Sequence, residues 1–157
     1  FQTLAARALN IFPEDVRGLV IGSHDNNMVP LVRYSSAAGI ALTELLSASQ
    51  LNEIIAGTRT GGAEIIDLLG SGSAYYAPAA SLTRMVEAIL RDERRIVPAV
   101  AYLKGEYGFQ DICLGVPVII GRNGLEQILV LQLSEEEQRL LEQSAASVKK
   151  VLFRLRQ

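Results

Sequence analysis

The sequence predicts an α+β fold, with antiparallel strands packed with long helices in a single domain over residues 1–157. Two kinds of observation carry the prediction. Apolar residues recur three and four apart over 51–69, 75–90 and 134–156, which is the helical period. Apolar runs at 96–103, 112–120 and 127–133 have strand character. The last two are joined by Gly121-Arg122-Asn123-Gly124, a link short enough to force an antiparallel hairpin.

Taken in order, Phe1, Leu4, Ala5, Ala8, Leu9 and Phe12 fall at helical spacing, with no Ser, Asp or Asn ahead of them to cap the helix. The opening therefore reads as a helix already under way, and the chain as the second half of something longer. Pro13-Glu14-Asp15 breaks that helix, and residues 16–21 read as one short buried strand ending at Gly22. A polar loop, Ser23-His24-Asp25-Asn26-Asn27, follows and is closed by Met28-Val29-Pro30. A short helical piece is expected around 42–46.

The next helix carries Ile54-Ile55, Ile65-Ile66 and Leu68-Leu69 on one face. Gly61-Gly62 sit in its middle, each costing ~1 kcal/mol relative to alanine, so a kink or a close backbone approach is expected there. Gly70-Ser71-Gly72-Ser73 ends that helix, and another begins at 75–78, where proline is tolerated in the first turn. Residues 91–95 form a charged, solvated corner. After the three strands, Ser134-Glu135-Glu136-Glu137 is a capping box with an acidic first turn. It opens a helix that closes on Lys149, Lys150, Arg154 and Arg156, cations that suit the negative end of the helix dipole.

Composition narrows the function classes. Fifteen Lys and Arg against seventeen Asp and Glu leave a net charge of −2, with no basic stripe for a phosphate backbone, so no nucleic acid is expected as a partner. One cysteine, Cys113, and one histidine, His24, cannot make an internal disulfide or a structural zinc site, and no metal is expected. Mean hydropathy is +0.23, high for a globular domain. Yet no apolar run approaches the ~18 residues that cross a bilayer, and no signal-peptide pattern opens the chain. The expectation is a cytoplasmic protein whose surplus apolar surface faces a missing domain or identical subunits.

His24 is the first candidate for chemistry. It lies in a polar loop straight after a buried strand, where a rigid scaffold presents side chains to a cleft, and its side chain exchanges protons near neutral pH. The plainer reading is a bystander in a loop. Adjacent residues point apart, so Asp25 is not read as its carboxylate partner; Asp25-Asn26-Asn27 reads as turn chemistry. The Gly70–Gly72 stretch follows a helix rather than a strand and has no Gly-Lys-Ser/Thr, so it is no phosphate cradle. No serine nucleophile elbow occurs. Tyr75-Tyr76 reads as packing with one hydrogen bond.

Five segments together are specific. They are Met28-Val29-Pro30-Leu31-Val32-Arg33-Tyr34-Ser35, Thr58-Arg59-Thr60-Gly61-Gly62-Ala63-Glu64-Ile65, Gly72-Ser73-Ala74-Tyr75-Tyr76-Ala77-Pro78-Ala79-Ala80-Ser81, Tyr102-Leu103-Lys104-Gly105-Glu106-Tyr107-Gly108 and Gly115-Val116-Pro117-Val118. In this order and spacing the whole chain resembles the C-terminal substrate domain of the lactate/malate dehydrogenase family. Within the family it is most similar to the tetrameric, lactate-dehydrogenase-like malate dehydrogenases.

The resemblance implies an NAD-dependent oxidoreductase acting on a 2-oxo or 2-hydroxy dicarboxylic acid, malate and oxaloacetate ahead of lactate and pyruvate. It puts His24 on the catalytic histidine, which gives a proton to the ketone oxygen and takes it back in reverse. Ser73 and Ala74 fall on the stretch that lines the substrate pocket, the small Ala74 leaving room for a larger side chain. The resemblance also implies a homo-oligomer. NAD would be bound mainly by the chain's own N-terminal Rossmann domain, which precedes this region. That half also carries the carboxylate that orients the histidine and the arginines that clamp the substrate, so these residues alone are expected to be inactive.

One stretch departs from the family pattern, Gly-Gly-His-Gly-Asp, which here reads Gly22-Ser23-His24-Asp25-Asn26. Asp25 replaces a glycine, which restricts the backbone and puts a charge beside the acid; Asn26 removes a charge that orders the loop. The altered loop is what favours the alternative reading, a non-catalytic oligomerisation or interaction module built on the dehydrogenase scaffold.

Overall fold

Strands pair antiparallel in every ladder among residues 1–72 and 74–155, the residues that the computed structural model describes. The first half runs α1 (Gln2–Leu9), β1 (Val16–Arg17), β2 (Val20–Ile21), β3 (Val29–Pro30), β4 (Ser36–Ala37), β5 (Ile40–Ala41), α2 (Leu42–Leu45), α3 (Ala48–Leu69) and α4 (Tyr76–Leu90). The second half is β6 (Arg95–Lys104), β7 (Gln110–Gly121), β8 (Gly124–Ile128) and α5 (Glu135–Leu155). Three sheets result, in the orders β1-β4-β5, β2-β3 and β6-β7-β8. The fold class is α+β.

The central strand β7 organises the larger core. Ile112, Leu114, Val116, Val118 and Ile120 alternate inward, while Cys113 between them is exposed. They cluster with Ala88 of α4 and with Leu141 and Ala145 of α5. Each fully buried aliphatic side chain contributes roughly 1.5–3 kcal/mol, so this cluster is the main source of stability. A second, smaller core joins α1, β1 and α3 through Ala5, Ala6, Val16, Leu42 and Ile54.

A close backbone approach joins the first half to the second. Gly22 N–H donates to Gly115 O, and Gly115 N–H donates to Gly22 O, both at 2.8 Å. A Cβ on Gly115 would lie 2.8 Å from the Gly22 carbonyl oxygen. Gly22 has φ of +92°, and a Cβ there would lie 2.5 Å from Ser144 Oγ. Glycine is required on both sides of this bridge, at one for space and at the other for space and conformation.

Several elements differ from the sequence expectation. The strand expected at 16–21 is two strands with different partners: Val16 pairs with Ala37, and Val20 with Pro30. Gly18 lies between them, and a Cβ there would overlap the ring of Phe1. The hairpin of β4 and β5 was not expected. Its two-residue loop, Ala38-Gly39, has φ of +48° and +87°, a primed turn made without the usual Asn-Gly.

Gly61 and Gly62 neither break α3 nor meet a neighbour, since a Cβ on either would touch nothing within 4 Å. The third long strand ends at Ile128 rather than reaching 133. Beyond it the hydroxyl of Tyr107 donates to Leu129 O at 2.6 Å and accepts from Leu131 N–H at 3.1 Å, so a side chain takes over from the ladder.

The expected helix boundaries do occur. Gly70 caps α3 in the left-handed conformation, and α4 follows Tyr75. Ser134 Oγ accepts from Glu137 N–H at 3.2 Å while Glu137 Oε2 accepts from Ser134 N–H at 2.8 Å, completing the capping box of α5. The 91–95 corner is charged and exposed, with Arg94 paired to Glu126 at 2.9 Å. Among the described residues no helix is long and apolar enough to cross a membrane.

Gly115→Ala should therefore lower stability by about 1–3 kcal/mol, because its Cβ meets backbone that cannot move aside cheaply. Gly61→Ala, on a helix with open space around it, should raise the stability of the isolated chain by up to about 1 kcal/mol. Urea unfolding of the two variants against wild type measures both.

Candidate functional site

His24 sits two residues beyond the Gly22–Gly115 bridge, at the point where β2 opens into the polar loop. Its side chain is exposed. It borders a shallow cavity of about 280 Å³ whose apolar floor is Pro98, Ala99 and Val100 of β6 and whose wall includes Ile21 and Met28. Among the described residues the imidazole makes no hydrogen bond and no ion pair. A proton-exchanging group thus faces an apolar recess on a fixed strand end.

The loop around it is built from side-chain hydrogen bonds. Asp25 Oδ1 accepts from Ser23 Oγ at 2.6 Å and from Asn27 N–H at 2.7 Å, the second closing an Asx turn. Ser147 Oγ of α5 lies 3.2 Å from Asp25 Oδ2. Ser23 N–H donates to the buried Ser144 Oγ at 2.7 Å. At the far end of the loop Arg59 Nε donates to Met28 O at 3.1 Å, tying it to α3.

Burial pushes the Asp25 carboxyl up, but hydrogen bonds from Ser23, from the Asn27 backbone and from Ser147 outweigh it and leave the group below its ordinary value of 3.8. The turn reading of Asp25-Asn26-Asn27 is the one the geometry bears out. Asp25 does not take a positive φ, and its carboxylate oxygens accept from Ser23, Asn27 and Ser147.

Of the residues expected to line a substrate pocket, Ala74 is half-buried just ahead of α4. None of the described contacts joins it to His24. Ser73 lies outside the described residues. Tyr75 and Tyr76 pack on each other, ring centroids 4.6 Å apart, and are 64% and 80% exposed.

The described residues do not fit a dinucleotide site. The Gly70 turn caps the C-terminal end of α3, its N–H donating to Ile66 O at 3.1 Å. The N-termini of α3 and α5 are taken by their own capping boxes. α4 follows a helix, not the strand that a dinucleotide cradle needs.

Sequence reasoning missed Gly115, Ser144, Ser147 and Arg59. A glycine inside an apolar strand run does signal close backbone approach, so Gly115 was legible in principle. A serine within an amphipathic helix carries no such signal.

Residues 1–155 match the family model described as lactate/malate dehydrogenase, alpha/beta C-terminal domain. The chain belongs to the lactate/malate dehydrogenase family. It is similar to a malate dehydrogenase of Bacillus israeli, 57% identical over 152 residues that cover 97% of this chain and 49% of that protein. A malate dehydrogenase of Shouchella clausii is 54% identical over 155 residues, covering 99% of this chain and 49% of that protein.

Among solved structures, the malate dehydrogenase of Cryptosporidium parvum superimposes with a TM-score of 0.96 at 38% identity, over 99% of this chain and 51% of that one. The lactate dehydrogenase of the same organism, complexed with lactic acid and nicotinamide adenine dinucleotide, gives 0.91 at 39% identity, over 96% and 49%. The chain spans about half the length of the curated relatives it matches.

The folded-state value of Asp25 is depressed, so the stabilisation it brings is whole above about pH 4 and is lost as pH falls through that value. Urea midpoints of wild type and Asp25→Ala should differ near neutral pH, and the difference should shrink as pH falls below the ordinary carboxylate range.

Proposed function

We propose that these residues form the C-terminal, substrate-handling half of an NAD-dependent malate dehydrogenase. They would act with an N-terminal Rossmann half that holds most of the cofactor. The observation that carries the reading is His24, the one histidine of the sequence, on a strand end pinned by two backbone hydrogen bonds beside an apolar recess. The identity to malate dehydrogenases over nearly the whole chain supports it.

NAD supplies or accepts the hydride. This chain's contribution is the proton. Reduction of the 2-oxo carbonyl leaves an electron pair on oxygen, which takes a proton from the imidazolium of His24 and leaves a neutral ring. In the oxidising direction the neutral ring removes the hydroxyl proton of malate. A ring with no partner in the described residues is free to accept an orienting carboxylate from the other half. Ser73 and Ala74 would line the substrate pocket, and the small Ala74 favours the longer oxaloacetate over pyruvate.

The likeness to a lactate dehydrogenase complexed with lactic acid supports a second reading, a lactate-specific enzyme of the same chemistry. The kcat/KM ratio for oxaloacetate against pyruvate separates the two. The non-catalytic alternative rested on the altered loop, in which Ser23 and Asp25 are held by hydrogen bonds.

The exposed Ile65, Ile66, Leu68 and Leu69 of α3 and Leu82, Val86 and Leu90 of α4 support a homo-oligomer. Light scattering of the complete subunit should return a multiple of the monomer mass. Leu68→Glu with Leu82→Glu should reduce it.

In the complete subunit, His24→Asn should lower the rate of NADH oxidation with oxaloacetate by about 10²–10⁴-fold with the fold intact by circular dichroism. A complete subunit that is inactive with His24 in place would sink the enzyme reading.

A further inference from the structure

The His24 ring has no partner of its own among the described residues, so what this chain fixes is the main chain that carries it, one residue earlier. Ser144, wholly buried on α5 and 121 residues from Ser23, provides the fixing. Its Oγ occupies the space that Gly22 leaves by having no side chain.

The protons along this chain of hydroxyls have one consistent arrangement. Ser23 N–H donates to Ser144 Oγ at 2.7 Å, and the two hydroxyls lie 2.8 Å apart. Ser23 Oγ gives its single proton to Asp25 Oδ1 at 2.6 Å, so the Ser144 hydroxyl must donate to Ser23. The chain ends on a carboxylate, and hydrogen bonds to a charged acceptor are about twice as strong as neutral ones. Ser147 adds a brace, its hydroxyl lying 2.7 Å from Ser144 O and 3.2 Å from Asp25 Oδ2. Both residues flanking His24 are therefore held from α5, one through its backbone and one through its side chain.

We infer that Ser144 is a positioning residue for His24, acting through Ser23 and Asp25 to hold the imidazole in its reactive direction. The inference rests on the reading of His24 as proton donor and acceptor. Ser144 touches neither substrate nor cofactor in this role. Its effect belongs in kcat for the proton-coupled step and not in cofactor affinity.

The test uses the complete subunit with Ser144→Ala, Ser144→Cys, Asp25→Ala and His24→Asn, each checked for thermal melting and assayed for oxaloacetate reduction. Ser144→Cys keeps the site filled, with a somewhat larger sulfur that offers only a weak acceptor. Both Ser144 variants are expected to lower kcat by about tenfold to a hundredfold, with KM for NADH unchanged.

A folded Ser144→Cys subunit with wild-type kcat would mean that the side chain merely fills space, and the inference would fall. If neither Ser144 variant folds, Asp25→Ala on the exposed loop decides in the same way: a lowered kcat supports the inference, and a wild-type kcat overturns it. His24→Asn keeps the two levels apart. Full activity there overturns the reading of His24 itself, whereas an inactive His24→Asn beside a fully active Ser144→Cys overturns only the positioning role.

Discussion

Two backbone hydrogen bonds between Gly22 and Gly115 hold the histidine loop against the large sheet, and most of the site's geometry follows from them. β2 and β3 have two residues each, too few to be stable alone. They persist because Gly22 borrows the central strand β7, whose inward side chains are locked in the main core. A side chain at Gly115 would push the strands apart, and one at Gly22 would run into Ser144 of α5. The rigidity that reaches His24 is thus the rigidity of β7, transferred across a contact that only unsubstituted backbone can make.

The opposite side of the loop leans on α5, so the loop is clasped between a strand and a helix distant in sequence. α5 is itself fixed at its start. Glu137 closes the capping box with Ser134 and also pairs with Arg33 at 2.7 Å; the Arg33 hydrogen bond leads in holding its carboxyl below the ordinary range. Arg33 Nη2 and Tyr34 Oη both donate to Gln132 O, at 3.1 and 2.7 Å, which binds the turn after β3 to the segment before α5. Both ends of the hairpin that bears His24 are therefore referred to the same helix. An ion pair half-exposed on one side is worth little by itself, but here it works alongside a cap and two carbonyl contacts.

What could be read in the sequence was whatever repeats over many residues. α3, α4, α5 and the long strands announce themselves by period, and Ser134 and Gly70 mark ends by local chemistry that needs no distant partner. Short elements gave no such signal. Residues 16–21 have one apolar pattern but two sets of partners, Ala37 and Ser36 for the first pair and Pro30 and Val29 for the second, which local pattern cannot supply. Ala38 sits in a conformation that costs a side chain roughly 1–2 kcal/mol, so the hairpin it turns lacks its customary residues. The strand expected to reach 133 stops at Ile128 because a hydroxyl from Tyr107, more than twenty residues back, offers the backbone another partner. His24 could be picked out by residue type and setting. Ser144 could not, because its role exists only once α5 lies against the loop.

The altered residues beside His24 gain meaning from the same clasp. A glycine-rich loop is ordered mainly by its backbone, and a carboxylate placed next to an imidazole would ordinarily compete for its proton. Asp25 avoids that conflict because its oxygens are already engaged by Ser23, Asn27 and Ser147. The same engagement does the ordering that the family pattern assigns to an aspartate one residue later, where this chain has Asn26. The charge that organises this loop is that of Asp25, and Ser23 gives it a hydroxyl to hold. Replacing glycine at two positions would have loosened a loop that depended on glycine there. Here the glycine that cannot be replaced is Gly22, and it has been kept.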